Sequence, residues 1–201
     1  MKVPTQKILV VDDDQDAREY LVMCFEQMNY QVIQATNGQE ALSLTKIEQP
    51  DVIVLDVVMP DLDGYQVCYQ LKENKETSHI PIILITVLRK LEDEIRGFEA
   101  GAHDYISKPY NRAELAARIT AAMRVKSLQD KLRYRNDSLK EIIKVLQRDI
   151  TDPLTGVLGR TTLLLRHRLP EDVSEGLQTI ENLAQKIAKL VKQLDQEIKD
   201  I

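Results

Sequence analysis

The 201-residue chain lacks several features that would assign it to a common functional class. No apolar run approaches the roughly 18 to 20 residues that a membrane-spanning helix requires, and the opening stretch MKVPTQK lacks the apolar core of a secretion signal. There is no G-x-x-x-x-G-K-[ST] loop, no H-E-x-x-H helix and no serine-nucleophile elbow. We therefore expect a cytoplasmic protein that is neither a classical hydrolase nor a nucleotide-binding enzyme.

Cysteine and histidine are also scarce. The two cysteines, Cys24 and Cys68, lie far apart and show no metal-ligand spacing, so we interpret both as small buried apolar residues. The three histidines, at positions 79, 103 and 167, have no partner residues near them in sequence. Neither residue type predicts a catalytic or metal site.

Charge is distributed unevenly between two parts of the chain. Residues 1–124 carry 13 Lys and Arg against 20 Asp and Glu, a net charge of -7, whereas residues 125–201 carry 14 against 12, a net charge of +2. The boundary near residue 124 suggests a change of domain. A segment at +2 with interleaved signs is too weakly basic to indicate nucleic-acid binding on electrostatic grounds.

Short apolar runs alternate with amphipathic ones in the first part. The apolar runs KILVV, QVIQA, DVIVL, IPIILIT and DYIS predict strands, and the amphipathic runs predict helices at 15–28, 38–48, 64–75, 91–99 and 112–124. Five β-α units imply a doubly wound parallel sheet with helices on both faces. ILVV, VIVL and IILI are apolar throughout, as central strands require, so we predict the strand order 2-1-3-4-5.

The second part contains no strand signal and has the pattern of long helices. Val125, Leu132, Leu139 and Leu146 recur every seven residues. From 173 to 201, apolar residues follow alternating steps of four and three, and Pro170 marks a turn before the last helix. Pro153 should kink the preceding helix, because proline lacks a backbone N–H.

Polar side chains gather at the predicted carboxyl ends of the strands. Asp12 and Asp13 follow strand 1, Asp56 ends strand 3, Thr86 ends strand 4, and Lys108 follows strand 5. Three converging carboxylates favour a hard divalent cation such as Mg²⁺. The lysine and the hydroxyl beside them are what a transferring phosphoryl group requires, because that chemistry consists mostly of positioning and charge neutralisation.

Residues 5 to about 124 resemble the response-regulator receiver domain of two-component signalling, through ILVVDDD, DVIVLDVVMPDLDG, IPIILIT and YISKP in that order. The resemblance implies a phosphoacceptor, a Mg²⁺ site, phosphoryl contacts and a switch residue. Asp56 would be the phosphoacceptor, and Asp12, Asp13, Asp56 and the carbonyl of Val58 would hold Mg²⁺. Thr86 and Lys108 would contact the phosphoryl oxygens. Tyr105 would be the switch residue, which turns inward when Thr86 moves. The resemblance also implies a cis peptide at Lys108-Pro109 and a sensor histidine kinase as the phosphodonor.

Residues 147–201 resemble the dimerisation and histidine-phosphotransfer hairpin of sensor kinases. Aligning that family's phosphorylation box on Pro153 and Leu154 puts Arg148 in the place of the phosphorylatable histidine and Asp149 in the acidic place. The resemblance therefore implies a dimerisation module without kinase chemistry. A competing likeness is DPLTGVLGR, which looks like the start of a diguanylate cyclase, but the G-G-[DE]-E-F turn of that enzyme is missing.

We predict a receiver domain at 1–124, a linker helix or coiled coil at 125–150 and a helical hairpin at 151–201 that completes a four-helix bundle. The expected function is a phosphorylation switch, not an enzyme, with a homodimer through residues 125–201 and a downstream protein partner. Alternatives are a DNA-binding transcriptional regulator, a phosphorelay or phosphatase adaptor, a cyclase remnant and a passive coiled-coil tail. The helical segment lacks the short three-helix spacing and the basic charge of a DNA-binding domain.

Overall fold

The computed structural model describes residues 6–88, 90–167 and 170–199. It divides into two compact units, residues 1–130 and 131–201. Among the described residues, no helix has both the length and the apolar character needed to cross a membrane.

The first unit contains a five-stranded parallel sheet in the order β2-β1-β3-β4-β5, which confirms the predicted topology. The strands are β1 Lys7–Val11, β2 Gln31–Ala35, β3 Val52–Asp56, β4 Ile82–Thr86 and β5 Asp104–Ser107. The helices that connect them are α1 Gln15–Glu26, α2 Gly38–Glu48, α3 Gly64–Glu73 and α4 Leu91–Glu99, and α5 Arg112–Leu146 follows β5.

Separate apolar clusters cover the two faces of the sheet. On one face Leu21 and Phe25 of α1 pack with Ile119 of α5, and on the other Ala41 of α2 packs with Leu71 of α3. Every residue of β3 and β4 is buried, whereas β2 is partly exposed. This agrees with the expectation that continuous apolar runs form central strands and mixed runs form edges.

Two helices end earlier than the sequence pattern predicts. α1 stops at Glu26 instead of residue 28, and Asn29 takes the left-handed conformation at a φ of 63°. α3 stops at Glu73 instead of residue 75, because Asn74 is extended and its side chain accepts a hydrogen bond from the amide of Glu76. Asparagine tolerates such conformations and competes locally for backbone groups, which ends a helix within an otherwise helical pattern.

The second unit forms a helical hairpin. A π-helical turn, Gln147–Thr151, follows α5, and α6 Asp152–Leu165 and α7 Glu171–Lys199 come after it. The regular α-helix is thus interrupted shortly before Pro153, where the sequence predicts a kink. Thr161 of α6 and Ala184 and Val191 of α7 are buried.

Gly64 allows α3 to begin directly against the end of β3. A β-carbon at this position would lie 2.3 Å from the carbonyl oxygen of Asp56 and 2.7 Å from the α-carbon of Val57. Both of these atoms belong to the backbone and cannot move aside as the end of a side chain could. The close approach lets the amide of Gly64 donate to the carbonyl of Val57 at 2.9 Å.

We expect Gly64→Ala to lower the free energy of unfolding by about 1 to 3 kcal/mol, the usual cost of overpacking a close contact. Gly156→Ala is the matched control, since a β-carbon at Gly156 meets nothing within 4 Å. An alanine inside α6 should raise helix stability by roughly 0.5 to 1 kcal/mol. Thermal unfolding followed by circular dichroism compares the two, and equal midpoints for wild type and Gly64→Ala would contradict the prediction.

Candidate functional site

The sheet brings two aspartates together at its carboxyl edge. Val11 pairs with Leu55 in the parallel register, so that the residues that follow them, Asp12 and Asp56, are neighbours. Asp12 is 1% exposed and Asp56 is 7% exposed. Two carboxylates held this close and this far from water repel each other unless a cation lies between them.

Asp13 completes an acidic cluster at this edge. Asp12, Asp13 and Asp56 each offer one carboxylate oxygen within 4.8 Å of the others, and Asp13 is exposed. Oxygen atoms at such spacing fit the octahedral coordination of Mg²⁺, in which metal–oxygen distances are about 2.0 to 2.1 Å. The three predicted side-chain ligands are therefore gathered at one point.

Hydrogen bonds from the start of α1 fix Asp12. Asp12 Oδ1 accepts from the amide of Asp14 at 2.9 Å, and the carbonyl of Asp12 accepts from Arg18 Nη1 at 2.8 Å. Asp14 itself is the N-cap of α1 and accepts from the amide of Ala17 at 2.8 Å. Its side chain stabilises the helix start and does not belong to the acidic cluster.

Lys108 supplies the opposite charge. Its Nζ lies 2.9 Å from Asp12 Oδ2 and 2.9 Å from Asp56 Oδ2, so one ammonium group bridges both buried carboxylates. The amide of Lys108 donates to the carbonyl of Thr86 at 2.6 Å, which ties the loop after β5 to the end of β4. The Lys108-Pro109 bond is cis, as the resemblance implies.

The charge of Lys108 offsets only part of the cost of burying the Asp56 carboxylate. Burial raises the pKa of Asp56, and the hydrogen bond from Lys108 offsets this only in part. Burial by itself would lower the pKa of Lys108, but its hydrogen bonds to Asp12 and Asp56 leave that pKa above the usual value. Asp56 is therefore a carboxylate kept in a costly environment, which is typical of functional positions.

The loop after β3 continues the site. The amide of Val57 donates to the carbonyl of Ile85 at 2.9 Å, and the amide of Val58 lies 3.4 Å from Asp56 Oδ1. Asp61 takes a left-handed conformation at a φ of 64°. The structure thus places Val58 next to Asp56, and the proposed use of its carbonyl as a metal ligand stays a prediction.

Thr86 and Tyr105 meet at the backbone of Leu88. The fully buried Thr86 accepts from the amide of Leu88 through Oγ1 at 3.2 Å. The hydroxyl of Tyr105 donates to the carbonyl of the same residue at 2.8 Å, and the Tyr105 side chain is buried. Tyr105 therefore lies inward in this structure. Val87, between Thr86 and Leu88 in the chain, is exposed.

Sequence reasoning assigned no role to two residues that contact this region. Tyr65 of α3 donates through its hydroxyl to the carbonyl of Asp93 in α4 at 3.1 Å, and the guanidinium of Arg96 lies 4.4 Å from the centre of the Tyr65 ring. These residues are about 30 positions apart, so no local pattern could pair them. The only signal in the sequence was an aromatic residue directly after Asp63 and Gly64.

A doubly wound parallel sheet with this acidic edge and its bridging lysine defines a receiver-type α/β domain. The chain belongs to the response regulator receiver domain family, whose profile matches residues 8–120. The matched residues end before α6 and α7, so the match concerns the receiver part alone.

Several known proteins are similar over this part. The chain is 44% identical over 124 residues to a Cyanophora paradoxa protein described as "Probable transcriptional regulator ycf27", covering 62% of this chain and 51% of that protein. It is 37% identical over 118 residues to "DNA-binding dual master transcriptional regulator RpaA" of Synechocystis sp., covering 59% and 49%. The chain spans about half the length of the curated relatives it matches.

Solved structures agree with the fold. The signal receiver domain of a signal transduction histidine kinase from Syntrophus aciditrophicus is 36% identical, with a TM-score of 0.57, covering 60% of this chain and 91% of that one. The structural likeness, like the sequence match, concerns the receiver part.

We expect Asp56→Asn to stabilise the protein in metal-free buffer by about 1 kcal/mol at pH 7, because it removes a buried charge. The pKa of Asp56 is raised in the folded state, so the stability that its carboxyl contributes is present below the unfolded pKa of about 3.9 and is lost as pH rises through the folded pKa. The advantage of the asparagine should therefore grow from about pH 4 to pH 7.

Urea unfolding at several pH values, with a chelator present, measures this difference. Asp61→Asn is the matched control, because Asp61 is exposed and asparagine also accepts a left-handed backbone. The control should change stability by less than about 0.5 kcal/mol at every pH. An advantage of Asp56→Asn that grew on acidification would show that the pKa of Asp56 is shifted in the other direction.

Proposed function

We propose that this chain is a phosphorylation-controlled switch in which Asp56 accepts a phosphoryl group from a sensor histidine kinase. The carrying observation is that Lys108 Nζ lies 2.9 Å from both Asp12 and Asp56 at the edge where the acidic cluster forms. In the reaction, a carboxylate oxygen of Asp56 forms a bond to phosphorus while the bond from phosphorus to the donor's imidazole nitrogen breaks.

Asp12, Asp13, Asp56 and the carbonyl of Val58 would hold Mg²⁺. When bound, this ion would neutralise negative charge on the phosphoryl oxygens. Lys108 would exchange part of its contact with Asp12 and Asp56 for a phosphoryl oxygen. Thr86 would contact another oxygen, and the consequence would reach Tyr105 through Leu88, whose amide and carbonyl both take part in these contacts.

We infer that residues 125–201 are the output segment and form a homodimer. In α7 the apolar residues Ile180, Leu183, Ile187, Leu190 and Leu194 are exposed, although Ala184 and Val191 are buried. α5 likewise exposes Leu128, Leu132, Leu139 and Ile142. Pairing two hairpins into a four-helix bundle would cover the exposed stripe of α7, each fully buried Leu or Ile contributing about 1.5 to 3 kcal/mol.

Within this proposal, residues 1–124 form the receiver, 125–150 the linker helix and 151–201 the hairpin. The two compact units divide at residue 130, inside the proposed linker. Arg148 occupies the place of the kinase histidine and forms an exposed ion pair with Asp149 at 2.8 Å. An arginine cannot serve as a phosphoryl carrier in the way of histidine, so the hairpin would act through association, with a downstream protein partner.

A transcriptional regulator that binds DNA is the second candidate, and the names of the relatives favour it. Those matches concern the receiver part alone and carry no information on the helices that follow it in this chain. The described remainder consists of the end of α5, the π-helical turn and the α6–α7 hairpin. Salt-dependent binding to random-sequence duplex DNA would favour this candidate over a protein-interaction output.

With Mg²⁺ and acetyl phosphate, the wild-type chain should gain one acid-labile acyl phosphate, detected as a single phosphoryl mass increment. Asp56→Asn should abolish it, because the amide oxygen is not a competent nucleophile. Asp13→Asn should slow the reaction at least about tenfold by weakening the metal site. Asp61→Asn again serves as the control and should label normally; a phosphoryl group on Asp56→Asn would overturn the assignment.

Lys108→Ala should keep Mg²⁺ binding while losing the response to phosphorylation. The lysine contacts the two carboxylates directly, so its removal takes away a cation that competes with Mg²⁺ for the same oxygens. Mg²⁺ affinity, measured by calorimetry, should therefore stay equal or rise, and Mg²⁺ should raise the melting temperature of the variant more than that of wild type. Loss of Mg²⁺ binding in Lys108→Ala would show that the lysine has another role.

Sedimentation equilibrium tests the dimer. The full chain should be dimeric at micromolar concentration, and Ile187→Asp with Leu194→Asp should make it monomeric, because each aspartate would place a charge in the apolar interface. Gln185→Asp with Gln193→Asp is the matched control, since both glutamines are exposed polar residues of the same helix. A dimer that survives the first pair would give the apolar stripe another use.

A further inference from the structure

A cluster of side chains joins α3 to α4 beside Tyr105. Arg96 of α4 lies over the ring of Tyr65 at 4.4 Å, and its Nη2 donates to Asp63 Oδ2 at 3.2 Å. Asp63 is the N-cap of α3 and forms a capping box with Gln66. Arg96 thus ties α4 to the first turn of the helix that follows the Asp56 loop. We call Asp63, Tyr65 and Arg96 the Tyr65 cluster.

The Tyr65 cluster reaches Tyr105 directly. Gly97 of α4 is buried, and a β-carbon there would lie 3.4 Å from Tyr105 Cδ2 and 3.6 Å from Tyr65 Cε1. Both tyrosine rings therefore pack under the same point of α4. Burial raises the pKa of the Tyr105 phenol, and the neighbouring Tyr65 phenol raises it further, as expected for two hydroxyl groups in close proximity.

Hydrogen bonds join Tyr65, Tyr105 and Thr86 to α4 and to the loop before it. Tyr65 holds Asp93 of α4 through its hydroxyl, and Tyr105 holds Leu88, three residues before the start of the same helix. The amide of Leu88 in turn donates to Thr86. Any outward rotation of Tyr105 has to break its bond to Leu88 and withdraw its ring from beneath Gly97.

α4 has few other attachments. Gly97 is its only buried residue among those described, and Leu91, Ile95 and Phe98 are exposed. Its N-cap, Lys90, makes no side-chain capping bond. A helix held so lightly by its own burial depends strongly on a small number of specific contacts, and those of Tyr65 and Arg96 are prominent among them.

We propose that Tyr65 and Arg96 are positioning residues that hold α4 and the inward Tyr105 in place before any phosphoryl group is bound. The inference rests on the proposed phosphoryl switch at Asp56. A cation over an aromatic ring together with an exposed ion pair shifts a two-state equilibrium by about 3- to 30-fold. The unphosphorylated chain is therefore biased toward the state in which Tyr105 lies inward. A phosphoryl group would then stabilise further the same inward position that the Tyr65 cluster already favours.

Linkage makes this bias measurable. If the inward state binds a phosphoryl group more tightly, contacts that favour the inward state must also raise the affinity for that group. Beryllium fluoride with Mg²⁺ is a suitable probe, because it mimics a phosphoryl group on a carboxylate and binds reversibly. Removing the Tyr65 cluster should lower its affinity without altering the acidic cluster itself.

The experiment compares full-length wild type, Arg96→Gln and Tyr65→Phe. Arg96 is exposed, so its replacement leaves the core intact, and Tyr65→Phe keeps the ring but loses the bond to Asp93. Arg124→Gln and Tyr69→Phe are matched controls at exposed positions. The readouts are the beryllium fluoride affinity in Mg²⁺, the Mg²⁺ affinity alone, and amide hydrogen exchange over residues 90–99 with and without the probe.

Arg96→Gln should lower the beryllium fluoride affinity by about fivefold and Tyr65→Phe by a smaller factor. Without the probe, both should exchange faster over residues 90–99 than wild type, and saturating probe should restore protection. Mg²⁺ affinity alone should stay within about twofold of wild type, because the contacts removed do not involve Asp12, Asp13 or Asp56. Both control variants should behave as wild type.

The proposal is overturned if Arg96→Gln and Tyr65→Phe bind the probe as wild type does, or if exchange over residues 90–99 is unchanged. It is also overturned if the probe fails to restore protection, since that result assigns Arg96 and Tyr65 a packing role alone. Failure of the proposed phosphoryl site looks different, because wild type itself would then bind no beryllium fluoride at Asp56.

Discussion

The bridge from Lys108 to Asp12 and Asp56 is the interaction on which the rest of the first unit depends. The parallel register places the two aspartates side by side at the end of central strands, where little water reaches them. A single ammonium group, 2.9 Å from each, makes this arrangement tolerable. The pKa of Asp56 is nevertheless raised by burial. The fold thus keeps a carboxylate in an environment that disfavours its charge, a cost in stability that is typical of functional positions.

Most of this site could be predicted from the sequence, because its residues follow strands whose apolar runs are unmistakable. Asp12, Asp56, Thr86 and Lys108 stand at strand ends, and the topology brings strand ends to one edge. The contacts among α3, α4 and β5 could not be predicted in this way. Tyr65, Arg96 and Tyr105 meet through tertiary packing, and neither periodicity nor spacing along the chain specifies which side chains of different helices touch. The ends of α1 and α3 were missed for a different reason, because single asparagines at 29 and 74 decide them locally against the apolar periodicity.

Two parts of the first unit that differ greatly in burial are adjacent. β3 and β4 are wholly buried, whereas α4 buries only Gly97 among its described residues. Leu88 lies in the loop between β4 and α4. Its amide donates a hydrogen bond to Thr86, and its carbonyl accepts one from Tyr105. A rigid sheet edge next to a lightly held helix is an arrangement in which a small change of charge at the edge can alter the position of the helix. This is possible because the free-energy difference between two positions of α4 is small compared with that of unfolding the sheet.

Both units are incomplete by themselves, and for different physical reasons. The acidic edge of the first unit has two buried carboxylates and one bridging cation, so a divalent cation would add the missing charge. The hairpin of the second unit buries Ala184 and Val191 yet leaves Ile187, Leu190 and Leu194 in water, so another apolar surface would supply what it lacks. Electrostatic incompleteness is relieved by ions and phosphoryl groups, which come and go, whereas exposed apolar surface is relieved by association. Under the proposed function, a small charged signal at the first unit would act through protein contacts of the second, provided that the state of α4 alters which apolar surfaces are available.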